Sequence, residues 1–233
     1  MWVSRRLTAG IPRLPEAAGA GWGELPGAGP VLRVVMIGDS VAAGVGAATQ
    51  EEALPGQVAA GLAGLTGRPV SWRVVARRGA TARRVRQAQL GQLTDPTRRW
   101  QPDLVLVVVG ANDAIRLRRP AAFRRDVAAL VASIRHRLGR DVPVMLLGLP
   151  PVHRFPALPP WGRWPLGAYA RRLDAQLRRV AARETDVSHL PVGALPISPA
   201  VGLASDRFHP SPAGHRAWGR SVAASVATVL DAG

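Results

Sequence analysis

The sequence predicts a three-layer α/β/α domain built on a five-stranded parallel sheet. Short apolar runs alternate with stretches of helical periodicity from Val31 to the C-terminal end. Polar residues scarcely interrupt the runs, as expected of strands covered on both faces. No internal repeat and no linker divides residues 31–233, so a single domain is the economical reading. Residues 1–30, rich in Gly, Pro and Ala, read as an irregular N-terminal arm.

The elements run in order along the chain. Val31–Ile37 is the first strand and Gln50–Leu65 the first helix, with Pro55 near its start and Gly67 beyond its end. Val70–Ala76 is the second strand. Thr81 caps a helix running to Leu93, with Val85, Ala88 and Leu93 on one face. Leu104–Val109 is the third strand, announced by Pro102-Asp103. The helix over 121–138 places Val127, Leu130, Val131, Ile134 and Leu138 on one side. Val142–Leu147 is the fourth strand. A Pro-rich loop is expected from Leu149 to Pro165, then a helix over Leu166–Arg183, a fifth strand at Val187–Leu190 and a last helix over Pro212–Leu230.

Composition narrows the class. The 233 residues are 47% hydrophobic, enough for a substantial core. No apolar run reaches the roughly 18 residues of a membrane-spanning helix. Met1–Arg6 is basic but has no apolar stretch after it, and Pro12 and Pro15 interrupt the next ten residues; the expectation is a cytoplasmic protein without a secretory signal. With no cysteine, disulfides, thiolate metal sites and a cysteine nucleophile are excluded.

The net charge is +16, and every basic residue is arginine. Many arginines come in pairs, such as Arg77-Arg78, Arg98-Arg99, Arg118-Arg119 and Arg178-Arg179, which read mostly as solvated helix faces. None of the basic segments is interleaved with aromatics, so no specific nucleic-acid partner is expected. Peripheral attraction to anionic lipid is consistent with the charge.

The chemistry gathers where strands end. In an open parallel sheet, ligands bind at the carboxyl ends of the strands. Ser40, Gly79 and Asn112 each come just after one of the first three strands, which brings distant residues to one edge. Ser40 closes Gly38-Asp39-Ser40 and enters a small-residue turn, a suitable place for a nucleophile. Serine needs a base, and the base a carboxylate to orient it. Among the five histidines His209 stands out, because Asp206 precedes it by three residues in a loop stiffened by Pro210 and Pro212. The N–H of Ser40, the N–H of Gly79 and the Asn112 amide are candidate donors to an oxyanion. Asp39 reads as shaping the turn and Asp113 as a brace. Gly44 and Gly46 lack the remaining residues of a phosphate loop. His215 reads as a structural or exposed residue, and His136, His153 and His189 lack the neighbours of a metal site, so no metal or organic cofactor is expected.

Gly38-Asp39-Ser40, Gly79, Gly110-Ala111-Asn112-Asp113 and Asp206-Arg207-Phe208-His209 together resemble the four blocks of the SGNH hydrolases, the GDSL esterase/lipase family. The blocks occur in the expected order over about 31–231; the usual leucine after the serine is Val41. The resemblance implies a flavodoxin-like strand order, 2-1-3-4-5. It also implies Ser40 as nucleophile, His209 as base, Asp206 as its orienting acid, and Ser40, Gly79 and Asn112 as the oxyanion hole. The expected activity is hydrolysis of carboxylic esters through an acyl-enzyme, with a small-molecule ester or lipid as substrate, lysophospholipase-like in one reading. Alternatives on the same site are an acetylesterase acting on a carbohydrate or small molecule and a thioesterase; a non-catalytic binding module is the remote one. Phe155, Trp161 and Trp164 in the Pro-rich loop are candidates for an apolar wall against the acyl group, or for a lid.

Overall fold

The structure, a computed structural model, describes residues 6–97, 99–139, 141–192 and 198–231. The first five residues of the expected arm, and Arg98 of its arginine pair, lie outside them.

One sheet organises the chain. Its strands are β1 (Trp22–Leu25), β2 (Leu32–Gly38), β3 (Val70–Ala76), β4 (Leu104–Val108), β5 (Val144–Leu147) and β6 (Val187–Leu190), in the order β1-β3-β2-β4-β5-β6. From β3 to β6 all neighbours are parallel, in the expected 2-1-3-4-5 order. The sixth strand is a finding. β1 pairs antiparallel with β3 along the outer edge, Trp22 opposite Arg73 and Leu25 opposite Val70, where the composition predicts an irregular arm. Only a four-residue Trp-Gly-Glu-Leu marks it in sequence, exposed and half-buried in alternation.

Helices cover both faces: α1 (Leu54–Thr66), α2 (Ala82–Ala88), α3 (Ala111–Ile115), α4 (Pro120–Leu138), α5 (Pro160–Ala181), α6 (Pro199–Gly202) and α7 (Pro212–Asp231). Strand residues alternate between two cores. Val35, Ile37, Val105, Val107 and Leu146 pack with Val85 of α2, Phe123, Val127 and Leu130 of α4, and Leu173 and Leu177 of α5. Val34, Met36, Leu104, Leu106 and Met145 pack with Val58 and Leu62 of α1 and Val222 and Val226 of α7. Two apolar faces explain why the central strands β2, β4 and β5 are almost wholly apolar. α1 and α7 approach closely through small residues. A Cβ on Gly61 would lie 2.6 Å from that of Ala223.

α5 begins earlier than expected. Pro160 occupies its first turn, where a missing N–H costs nothing, and Pro165 is carried inside the helix. The predicted loop therefore ends near Pro159, and Trp161 and Trp164 lie on the opening turns of a helix. The helix predicted over Thr81–Leu93 breaks after Ala88 into a short 3₁₀ turn, Leu90–Gln92; Thr81 does cap it, its side chain accepting from the Arg84 N–H.

Candidate active site

The register sets the strand ends level. Gly38 lies opposite Ala76 on one side and Val108 on the other, and Val108 opposite Leu147. The segments beyond Gly38, Ala76 and Val108 therefore leave the sheet at one edge, carrying Ser40, Gly79 and Asn112.

Gly38 is required there, because a Cβ would collide with the Val108 carbonyl. That carbonyl accepts from the Asp39 N–H at 3.1 Å. Asp39 then folds back, Oδ1 accepting from the Val41 N–H at 3.0 Å, and the Ser40 carbonyl accepts from the Val45 N–H. Ser40 is thus held at the head of a tight turn, buried except for its approach to the cleft. Gln89, whose part the sequence did not reveal, donates from Nε2 to the Gly38 carbonyl at 3.0 Å, so the C-terminal end of α2 is tied to the turn.

His209 faces the serine. Its Nε2 lies 2.9 Å from Ser40 Oγ, and its Nδ1 lies 2.6 Å from Asp206 Oδ2. A carboxylate only accepts, so Nδ1 carries the proton and Nε2 is free to accept from the serine hydroxyl. The other Asp206 oxygen accepts from the Phe208 and His209 N–H groups, each at 3.0 Å. Burial pushes the Asp206 carboxyl up; these three hydrogen bonds outweigh it and leave it below the usual carboxylate range. Arg207 takes a left-handed conformation, φ 55°, which lets the loop return its own backbone to Asp206.

Gly79 sits at φ 73° in the turn after β3, a conformation glycine adopts without strain. Among the described residues, neither its N–H nor that of Ser40 has an acceptor, so both are open to a ligand. Asn112 lies on α3 and donates from Nδ2 to Asp39 Oδ2 at 3.4 Å. Asp113 braces, as expected: buried, it accepts from the Ala82 N–H at the start of α2 at 3.1 Å. Burial raises its carboxyl to about 6, against that hydrogen bond. Burial likewise raises Asp39 to about 7, helped by the charge of Asp113 and opposed by the Val41 N–H and the Asn112 amide.

These residues open onto a cleft of about 580 Å³, whose lining includes Ser40, Gly79, Asn112 and His209. Phe155, Trp161 and Trp164 are not part of that lining. Phe155 is buried and reaches the cleft only through Phe208, with which it makes an edge-on ring contact at 5.3 Å. Trp161 and Trp164 stand exposed, Trp164 stacking on His153, because the early start of α5 carries them away. Thr8, Ile11 and Arg13 of the N-terminal segment take that place in the lining, with Arg78, Ile115 and Arg116. The sequence did hint at two of these: Arg78 adjoins Gly79, and Arg116 lies one helical turn beyond Asn112. As for His215, it is fully buried, Nδ1 accepting from the Leu54 N–H and Nε2 donating to the Val45 carbonyl, each at 3.1 Å. Among the described residues no group of acids and histidines is placed to hold a metal ion, and no helix is long and apolar enough to cross a membrane.

Sheet order and helical layers are those of the SGNH hydrolases. The chain belongs to the GDSL-like lipase/acylhydrolase family, whose model matches residues 36–217. Its fold is similar to that of the family 3 carbohydrate esterase of Clostridium thermocellum, with a TM-score of 0.68 at 15% identity over 87% of this chain and 98% of that one. It is also similar to the psychrotrophic esterase EstA of Pseudoalteromonas sp., with a TM-score of 0.66 at 16% identity over 85% of this chain and 98% of that one. The lipase/acylhydrolase of Enterococcus faecalis gives 0.61 at 22% identity over 84% and 95%. No curated protein matches the chain by sequence.

Proposed function

We propose that the protein hydrolyses carboxylic esters through an acyl-enzyme on Ser40. The observation that carries the reading is the unbroken relay Asp206–His209–Ser40, 2.6 and 2.9 Å long, at the wall of an open cleft. His209 Nε2 takes the hydroxyl proton as Ser40 Oγ attacks the ester carbonyl carbon. Asp206 stabilises the imidazolium that forms. The carbonyl oxygen, now anionic, is received by the N–H groups of Ser40 and Gly79 and by the Asn112 amide. Collapse breaks the bond to the alkoxy group, and His209 returns its proton to the departing alcohol. Water, deprotonated by His209, then releases the acid and restores Ser40. The net charge of +16 favours attraction to anionic surfaces and substrates.

The test is labelling with a fluorophosphonate probe together with hydrolysis of short acyl esters. Ser40→Ala abolishes labelling and lowers kcat by roughly 10⁴-fold or more, with an unchanged circular dichroism spectrum. Wild-type turnover in that variant would overturn the assignment.

A further inference from the structure

The lining of the cleft is charged in one sense only. Arg13, Arg78 and Arg116 contribute to it, and no acid does. They come from three separate segments: the N-terminal segment, the turn after β3 and the residue just beyond α3. Among the described residues, none of the three forms an ion pair. Arginines elsewhere in the chain do find carboxylates, as Arg73 finds Asp95 and Arg118 finds Asp126. The acids of the sequence motifs, Asp39, Asp113 and Asp206, are buried and turned onto backbone N–H groups, Asp206 also onto His209.

Two of the guanidinium groups are positioned by backbone. Arg78 Nη1 donates to the Leu14 carbonyl at 2.5 Å, while its own N–H donates to Glu16 Oε1 at 2.8 Å. Arg116 Nη2 reaches the carbonyl of Gly79 at 3.5 Å, which sets its charge beside the residue that offers an oxyanion donor. Each contact uses one donor of a fork that has five, leaving the others for a ligand. Ile11, Ile115 and Phe208 give the same cleft an apolar part. Arg13 and Ile11 precede residue 36, where the family match begins, so this part of the lining lies outside the matched segment.

We propose that the cleft takes carboxylic esters bearing a second, anionic group, a carboxylate or phosphate, which Arg13, Arg78 and Arg116 receive while the apolar part rests on Ile11, Ile115 and Phe208. The proposal rests on the ester-hydrolase reading and specifies its substrate class. Arginine is suited to the task because its planar fork meets carboxylate and phosphate oxygens in pairs.

The test compares matched esters: 3-acetoxybenzoate against its methyl ester in solution, and lysophosphatidylglycerol against the uncharged monoacylglycerol in micelles. The anionic member is expected to show a kcat/KM about tenfold higher, the size of one charge-assisted contact, and the advantage to shrink in high salt. In Arg13→Gln/Arg116→Gln, both positions being exposed, the anionic-to-neutral ratio falls towards one. A preference in the solution pair assigns the anion to a small soluble ester; one confined to micelles assigns it to a lipid headgroup. Equal kcat/KM in both pairs overturns the proposal and leaves the hydrolase reading standing. A preference that survives in the double variant overturns the assignment to these arginines. If the wild type cleaves no ester, the hydrolase reading falls, and titration calorimetry of Ser40→Ala decides the subsite separately. Tighter binding of 3-acetoxybenzoate than of its methyl ester upholds it; equal binding removes it.

Discussion

The two sides of the cleft are held by different means. Ser40, Gly79 and Asn112 leave the sheet at adjoining strand ends, and their turns are tied by backbone hydrogen bonds such as Asp39 N–H to Val108 and Arg77 N–H to Gly38. Thr8, Ile11 and Arg13 belong to a segment fixed by a few long-range contacts: Leu7 in the core, Glu16 on the Arg78 N–H, and Ala17 and Ala18 bonded to Ala43 and Ala48. The first side is what a parallel sheet delivers without further help. The second is laid across it by residues far away in sequence. The proposed reacting groups sit on the sheet edge, while part of the proposed recognition set, Ile11 and Arg13, sits on the overlying segment, so substitutions on the two sides should give different kinetic signatures.

The largest effect belongs to the sheet edge. Asn112→Ala removes one proposed donor to the oxyanion and is expected to lower kcat by roughly 10²–10³-fold, with KM changed far less. Steady-state kinetics on a neutral acetyl ester provide the check. An equal rise in KM with kcat retained would move Asn112 from the oxyanion to substrate binding, and the contrast between the two sides would fail.

A second effect concerns what keeps the sheet edge rigid. His215 ties the Val45 carbonyl and the Leu54 N–H to α7, on either side of the loop that carries the chain from Ser40 to α1. Burial lowers its pKa from 6.5 to about 4, against the Val45 hydrogen bond and aided by His209. The folded protein keeps it neutral while the unfolded chain binds a proton. Its contribution to stability is therefore present above pH 6.5 and is lost as the pH falls towards 4; the shift corresponds to something on the order of 3 kcal/mol. Asp39 and Asp113 act in the opposite sense. Their carboxyls are raised by burial, so stability falls as pH rises from the ordinary range near 3.8 through about 6 and 7. Urea unfolding of wild type and His215→Gln at several pH values separates these terms. The stability difference between the two proteins should widen from pH 4 to pH 6.5; a constant difference would show that His215 stays protonated in the fold.

The same contrast explains what was legible in the sequence. Strands β2, β4 and β5 could be read because burial on both faces leaves a nearly uninterrupted apolar run, β3 and β6 each carrying two polar residues, and Gly38, Gly79 and Gly110 follow the ends of the first three strands. The placement of Ser40, Gly79 and Asn112 comes with them, since a sheet edge is the one place where local sequence fixes tertiary position. β1 could not be read. Its four residues include one glycine packed under Trp72, and its pairing with β3 is an event nearly fifty residues distant in the chain. Nor could the cleft lining from Thr8 to Arg13, which no local pattern assigns to a site. Arg77-Arg78 reads, with the other pairs, as a solvated helix face, yet it lies in a turn where Leu14 and Glu16 meet it. The Pro-rich stretch before α5 misleads in the opposite direction: prolines that punctuate a loop are equally at home in a helix's first turn.

Those prolines lead to the smallest and sharpest of the expected effects. Trp161 and Trp164 are large, exposed and aromatic, qualities that invite a substrate-binding role, but α5 holds them outside the lining. Ile11 is less conspicuous and lies within it. Across a series of acyl esters from acetate to decanoate, Trp161→Ala/Trp164→Ala should shift relative kcat/KM by less than about twofold, the range of surface substitutions away from a site. Ile11→Ala removes apolar surface that an acyl chain would cover, and should lower kcat/KM for the longer esters by roughly three- to tenfold relative to acetate. A reversal, with the tryptophans altering chain-length preference and Ile11 leaving it untouched, would return recognition to the α5 side and take it away from the N-terminal segment.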